Sequence, residues 1–253
     1  MYEVGTHYKH YISLGYFCSV AMELEKYGLR DCSYPFDWLI TDFEGVILAI
    51  ESGFSDYLNY ENMYQNRDIR STYTDQKYHF SFIHDFNKYA RLSKQISSVR
   101  DKYQRRIDRF YQNITEPTLF VRYISDELLD ENGKSLELIY IEENLPRILA
   151  LIKQYNSQNE IMWIANKGVD SDIITIYTVN PDNNDTCCRK PFDNNGELHD
   201  FFSTCIYEGR EENLARYDTK TKKKSSLLYR ARVKVKSRFE RLVKREYIHD
   251  KEC

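Results

Sequence analysis

An α/β fold, with a mixed and largely parallel sheet, flanking helices and a basic C-terminal helix, is predicted by three features of this sequence. Short β-rich runs alternate with amphipathic helical stretches through the first 165 residues, the pattern of strand–helix–strand units. A hydrophobic fraction of 42%, with 22 Tyr and 13 Phe, supplies enough large side chains for one substantial core. The net charge of −3 conceals an asymmetry: between Lys222 and Arg245 stand eleven basic residues and one acidic residue, Glu240, a net of +10 that leaves −13 for the rest. We therefore expect a single domain over residues 1–220 and a basic amphipathic tail over residues 221–253.

The elements follow from local patterns. Residues 11–15 (YISLG) read as a short strand ending in glycine, and residues 18–27 carry Val20, Ala21, Leu24 and Tyr27 at helical spacing. Gly28 followed by apolar Leu29 fits a left-handed cap that stops this helix. In SYPFDW, Pro35 forces Tyr34 towards an extended backbone and fixes a turn. Residues 42–52 read as a helix with Phe43, Val46, Ile47 and Ile50 on one side, closed by Gly53. Residues 59–76 are polar with little periodicity and read as a long surface loop. In residues 77–86, Tyr78, Phe80 and Phe82 alternate with His79, Ser81 and Ile83 as on a strand.

Residues 87–111 form a charged helix whose apolar stripe is Ile96, Val99, Tyr103, Ile107 and Phe110. A buried-type strand, TLFVRY, follows Pro117; then come an acidic loop over residues 125–133 and a helix over residues 135–155. Residues 160–165 and 172–179 are β-rich, and beyond Asn180 the chain is loop-like, with helices at residues 196–202 and 211–217.

Several chemistries lack their signatures. The six cysteines show no CxxC pair, the N-terminus has no long apolar core, and no run approaches the roughly 18–20 apolar residues that span a bilayer, so we expect reduced thiols in a cytoplasmic protein. Neither GxxxxGK[ST] nor GxGxxG occurs, and the Cys and His residues lack metal-ligand spacing, so no metal or cofactor is called for.

The chemistry-bearing candidates gather around residues 13–38. Cys18 opens a helix, where unpaired backbone N–H groups and the helix dipole favour a thiolate. Read as a nucleophile it needs a base, and His84, at the exit of its strand, is the first choice with His79 in reserve. Read blandly, Cys18 is a small buried hydrophobe. Asp85 points away from His84 on a regular strand, so Asp37, held by the Pro35 turn, is the better group to orient the imidazole. Trp38, with Pro35 and Phe36, forms either core or one wall of a pocket. Arg122, a charge inside an apolar strand, either reaches a substrate carboxylate or phosphate or pairs with Asp126 or Glu127. The tail supports an anionic membrane surface as partner at the inner face, or packing against the acidic body; nucleic acid is disfavoured because no reading motif accompanies the charge.

On SLGYFCSVAMEL, GLRDCSYPFDWL, the HDF at His84 and the FVR ending at Arg122, the chain resembles a bacterial family of unknown function described as papain-like cysteine peptidases, over roughly the first 165 residues. The resemblance implies Cys18 as nucleophile and His84 as base, and a papain-like α+β fold as the alternative architecture. The leading expectation is a cysteine-dependent hydrolase or acyltransferase. The others are a glycan-assembly or sugar-transfer protein at the inner membrane face, using Arg122 and the tail, and a non-catalytic binding module.

Overall fold

The computed structural model describes residues 8–182 and 187–224. Strand β1, His10–Ser13, runs into Gly15, and helix α1, Ser19–Lys26, follows. Gly28 (φ +72°) ends that helix in the left-handed conformation, and the Leu29 N–H donates to the Leu24 carbonyl at 2.9 Å, the cap that its position predicts. Strand β2, Leu39–Thr41, leads into helix α2, Phe43–Glu51, N-capped by the Asp42 side chain, which accepts from the Gly45 N–H at 3.3 Å. A 3₁₀ turn at Tyr60–Asn62 introduces β3 (Met63–Gln65), β4 (Tyr73–Asp75) and β5 (Phe80–Phe82). Then come α3 (Leu92–Asn113), β6 (Thr118–Tyr123), α4 (Leu136–Lys153), β7 (Glu160–Asn166) and β8 (Ile176–Val179). Helices α5 (Pro191–Asn194), α6 (Gly196–Thr204) and α7 (Arg210–Lys224) close the described chain.

Two sheets result. Strands β1-β6-β7-β8 form an all-parallel sheet in that order, with Ile12 opposite Phe120 and Val121 opposite Met162. Strands β2-β5-β4-β3 form an antiparallel sheet. The mixed α/β class with a parallel sheet is as the alternation implies.

Side-chain alternation gives the parallel sheet two buried faces. Ile12, Phe120, Ile161 and Trp163 join one core with α2, α3, α4 and the antiparallel sheet; Tyr11, Leu119, Val121, Met162 and Ile164 join the other with α1, α5 and α6. The predicted stripe of α3 is its buried face, residue for residue. Each large aliphatic or aromatic side chain so buried contributes about 1.5–3 kcal/mol.

Three expectations are corrected. Residues 59–76 are not a plain loop but carry β3, at the sheet edge, and β4, between β3 and β5; strands of three residues, with Tyr64 and Gln65 exposed, leave no apolar period to read. The strand expected over residues 77–86 narrows to β5, because His79 adopts a left-handed backbone (φ +55°), although Tyr78, Phe80 and Phe82 do share the buried side. The second late strand begins only at Ile176. Helix α7 runs past position 220 to Lys224, and the membrane reading of the tail lies largely outside the described residues. Among the described residues no helix is long and apolar enough to cross a membrane.

Candidate functional site

The connection from β1 to α1 places two consecutive residues in the left-handed region, Gly15 (φ +84°) and Tyr16 (φ +64°). For tyrosine this conformation costs roughly 1–2 kcal/mol, so its surroundings must hold it there. They do so through the backbone. The Tyr16 N–H donates to Thr41 Oγ1 at 2.7 Å, the Thr41 N–H donates to the Tyr16 carbonyl at 3.1 Å, and the Gly15 N–H donates to Ser13 Oγ at 3.1 Å. A Cβ on Gly15 would stand 2.3 Å from Thr41 Oγ1, so only glycine lets the two segments close.

Two residues on, Cys18 is the N-cap of α1 (φ −72°, ψ −5°). Its side chain makes no capping hydrogen bond, and its carbonyl accepts from the Met22 N–H at 3.0 Å. The thiol thus stands where first-turn N–H groups lack intrahelical acceptors. Cys18 is 2% exposed, and beside it the buried Ser19 hydroxyl has no hydrogen-bond partner. Other thiols are held protonated by burial: Cys32 is pushed up to about 11, and Cys188 and Cys205 are also raised. Among the described residues no group of three or more His, Cys, Asp or Glu is placed to hold a metal ion.

Asp37 is fully buried. Its Oδ2 accepts from Arg30 Nη2 at 2.7 Å, Arg30 Nε at 3.1 Å and the Tyr34 N–H at 2.7 Å, while Oδ1 has no partner. Trp38 is half-buried, with the Arg30 guanidinium 5.2 Å from its ring centre. In the β2–β5 ladder Leu39 faces Phe82 and Thr41 faces Phe80, so Asp37 and His84 both lie two residues beyond the same end of that ladder. His84 is exposed there. Its neighbour Asp85 turns instead to α3, accepting from Lys102 Nζ and from the Tyr103 hydroxyl at 3.1 Å. His79, also exposed, precedes β5 at the opposite end, where Thr41 meets the Tyr16 turn.

Arg122 requires a correction. It is 0% exposed, and its partner is neither Asp126 nor Glu127 but Glu137, in the first turn of α4. Nε and Nη2 bond the two Glu137 oxygens at 2.8 and 2.7 Å, Nη1 bonds the Leu14 carbonyl at 2.9 Å and Thr41 Oγ1 at 2.8 Å, and Nη2 bonds the Thr41 carbonyl at 3.0 Å. All five guanidinium donors are engaged inside the fold, which leaves none for a substrate. Burial raises the Glu137 carboxyl above its ordinary value, and the adjacent guanidinium offsets only part of that rise.

Sequence reasoning missed Thr41 and Glu137, which meet Arg122 only through the fold. It also missed a polar chain at the carboxyl ends of β6 and β7. There the Tyr123 hydroxyl donates to Asn166 Oδ1 at 2.5 Å and accepts from the Cys188 N–H at 2.9 Å, and Asn166 Nδ2 donates to both Asp126 oxygens at 3.0 Å. The Tyr123 ring lies 6.0 Å from that of Tyr16, so this chain backs the same turn.

A family model described as "Putative papain-like cysteine peptidase (DUF1796)" matches residues 9–149, a span that includes Cys18, Asp37, Trp38, His79, His84 and Arg122. "Uncharacterized protein R408" of Acanthamoeba polyphaga mimivirus is 28% identical, over 62% of this chain and 77% of that protein. That relative is viral rather than bacterial. No solved structure matches the chain.

Proposed function

The chain belongs to the DUF1796 family, and on that premise we propose that it is a cysteine-dependent hydrolase with Cys18 as nucleophile and His84 as general base. The observation that carries this reading is the position of Cys18 as N-cap of α1, at the end of a turn whose left-handed residues are pinned from both sides. The Cys18 thiol passes its proton to His84, and the resulting thiolate attacks a substrate carbonyl carbon. First-turn N–H groups of α1 stabilise the oxyanion, and the imidazolium returns the proton to the leaving group as the thioester forms. Water, deprotonated by His84, then cleaves the thioester to the acid and restores the thiol. Asp37 orients the imidazole through Oδ1, the buried carboxylate oxygen without a partner. Trp38, beside Asp37, lines the approach, and His79, at the end of the ladder where Thr41 meets the Tyr16 turn, is the reserve base. The Arg122 route to a sugar-phosphate substrate is set aside, because that guanidinium is fully engaged within the protein.

The 2% exposure of Cys18 favours a second reading, a non-catalytic binding module, and one experiment separates the two. On incubation with p-nitrophenyl acetate, the first reading expects an acetyl thioester on Cys18, found by peptide mass spectrometry. Thioester formation and ester turnover both slow in His84→Ala, and both are absent above the buffer rate in Cys18→Ala. Undiminished turnover by Cys18→Ala, or a Cys18 that stays unmodified, overturns the catalytic reading and leaves the binding module.

A further inference from the structure

We infer that Arg122, Glu137 and Thr41 form a clamp that positions the Cys18 turn, with Thr41 Oγ1 as its contact point; this rests on the reading of Cys18 as nucleophile. Four observations meet there. Thr41 Oγ1 accepts two hydrogen bonds, from the Tyr16 N–H at 2.7 Å and from Arg122 Nη1 at 2.8 Å, so one hydroxyl joins the left-handed turn to the buried guanidinium. The same guanidinium holds the chain just upstream, at the Leu14 carbonyl, and holds Thr41 itself through its carbonyl. The Tyr16 ring is enclosed, with the Arg122 guanidinium carbon 5.9 Å and the Tyr123 ring 6.0 Å from its centre. Glu137 engages Arg122 as a two-pronged fork from the first turn of α4, where the helix dipole favours a carboxylate.

A buried guanidinium serving only to fill space is disfavoured by the cost of desolvating it, since an apolar side chain of similar volume packs at least as well. What an arginine adds is direction. Its rigid planar fork fixes two carbonyls and one hydroxyl relative to one another, and so fixes the backbone between Leu14 and Tyr16. Cys18 lies two residues further on, so the register of its sulfur against the first-turn N–H groups of α1 is set by this clamp. None of the three clamp residues contacts a substrate; they are positioning residues.

Thr41→Val and Thr41→Ser test the clamp, because valine keeps the shape and removes the hydroxyl whereas serine keeps the hydroxyl. The measurement is the rate of Cys18 carbamidomethylation by iodoacetamide from about pH 5 to pH 9, read on the Cys18 peptide by mass spectrometry, with thermal melting of each variant recorded alongside. In the wild type, labelling rises to half its plateau below the pH typical of a free cysteine, about 8.5. Thr41→Val moves that midpoint up by about one pH unit and slows labelling at about pH 6 roughly tenfold, while Thr41→Ser stays within about twofold of wild type. A clamp with a merely structural role predicts the reverse for Thr41→Val, a lower melting temperature and faster labelling as the buried cysteine loosens. That result, or a profile superimposable on wild type, overturns the clamp while leaving the nucleophile in place. A wild-type midpoint at or above about 8.5, or no labelling at any pH, overturns the nucleophile reading itself.

Discussion

Two turns near Cys18 are each tied down by a buried arginine and a carboxylate, and the ties differ in kind. In the first, Arg122 meets Glu137 fork to fork, both oxygens accept, and the remaining donors close on Leu14 and Thr41. In the second, Arg30 Nε and Nη2 both bond one oxygen of Asp37, Oδ2, and a third donor, the Tyr34 N–H, bonds it too. Asp37 Oδ1 accepts nothing, although Asp37 is fully buried. A buried acceptor without a donor costs about 1–3 kcal/mol. On our reading the saturated pair fixes backbone, and the unsaturated pair offers a carboxylate oxygen to a donor from outside its own turn. His84, two residues past the same end of the β2–β5 ladder, is the group that our reading sends there.

Breaking the saturated pair gives the largest expected effect. Glu137→Ala leaves the Arg122 charge at 0% exposure without a counter-ion and lowers stability by about 3–5 kcal/mol in denaturant titrations. A loss under about 1 kcal/mol means that water or another carboxylate reaches Arg122, and the contrast between the two turns collapses. Asp37→Asn comes next. Its amide oxygen still accepts from the Tyr34 N–H, and Glu25 lies 3.6 Å from Arg30 Nη1 as a second counter-ion, so the expected loss is smaller, about 1–2 kcal/mol. Its effect on ester turnover is larger than its effect on stability, because an amide cannot stabilise an imidazolium. An Asp37→Asn protein that loses stability and keeps full turnover leaves this second pair without a part in the reaction.

The elements legible in the sequence are those that bury one continuous stripe. The apolar positions of α3 recur at helical spacing, and TLFVRY of β6 is buried at every position, so period and composition suffice for both. Cys18 at a helix start and Asp37 in a proline-fixed turn were visible for the same reason, each being a property of a few consecutive residues. What stayed hidden depends on distance in sequence. Arg122 advertised a partner, but Asp126 and Glu127 are its near neighbours, whereas Glu137 is brought back only when α4 packs across the sheet. Thr41 carried no signal at all, since a threonine in a short strand is ordinary until the Tyr16 turn is laid against its hydroxyl. Strands β3 and β4 were missed because hydrogen bonding to neighbours, rather than an apolar face of their own, makes them strands.

A third buried carboxylate, Glu23 on α1, sharpens the comparison with the smallest effect and a definite sign. It is 3% exposed and faces a lysine rather than an arginine: Lys26 Nζ is 3.5 Å away and also engages Asp193, while the Asp193 N–H donates to Glu23 at 3.3 Å. Burial outweighs these partners, and the Glu23 carboxyl is raised above its ordinary value of 4.5. A carboxyl raised by folding favours the folded state fully below about pH 4.5, and that favour is lost as pH climbs through the raised value. Glu23→Gln does not titrate, so its stability relative to wild type increases from acid towards neutral pH, reaching parity or a gain of about 1 kcal/mol near pH 7. Denaturant titrations at about pH 4.5 and pH 7 measure the difference between the two proteins at each. If Glu23→Gln is instead the weaker protein by a growing margin as pH rises, a single lysine compensates a buried carboxylate as well as the Arg122 fork does, and geometric matching is not what separates the rigid tie from the open one.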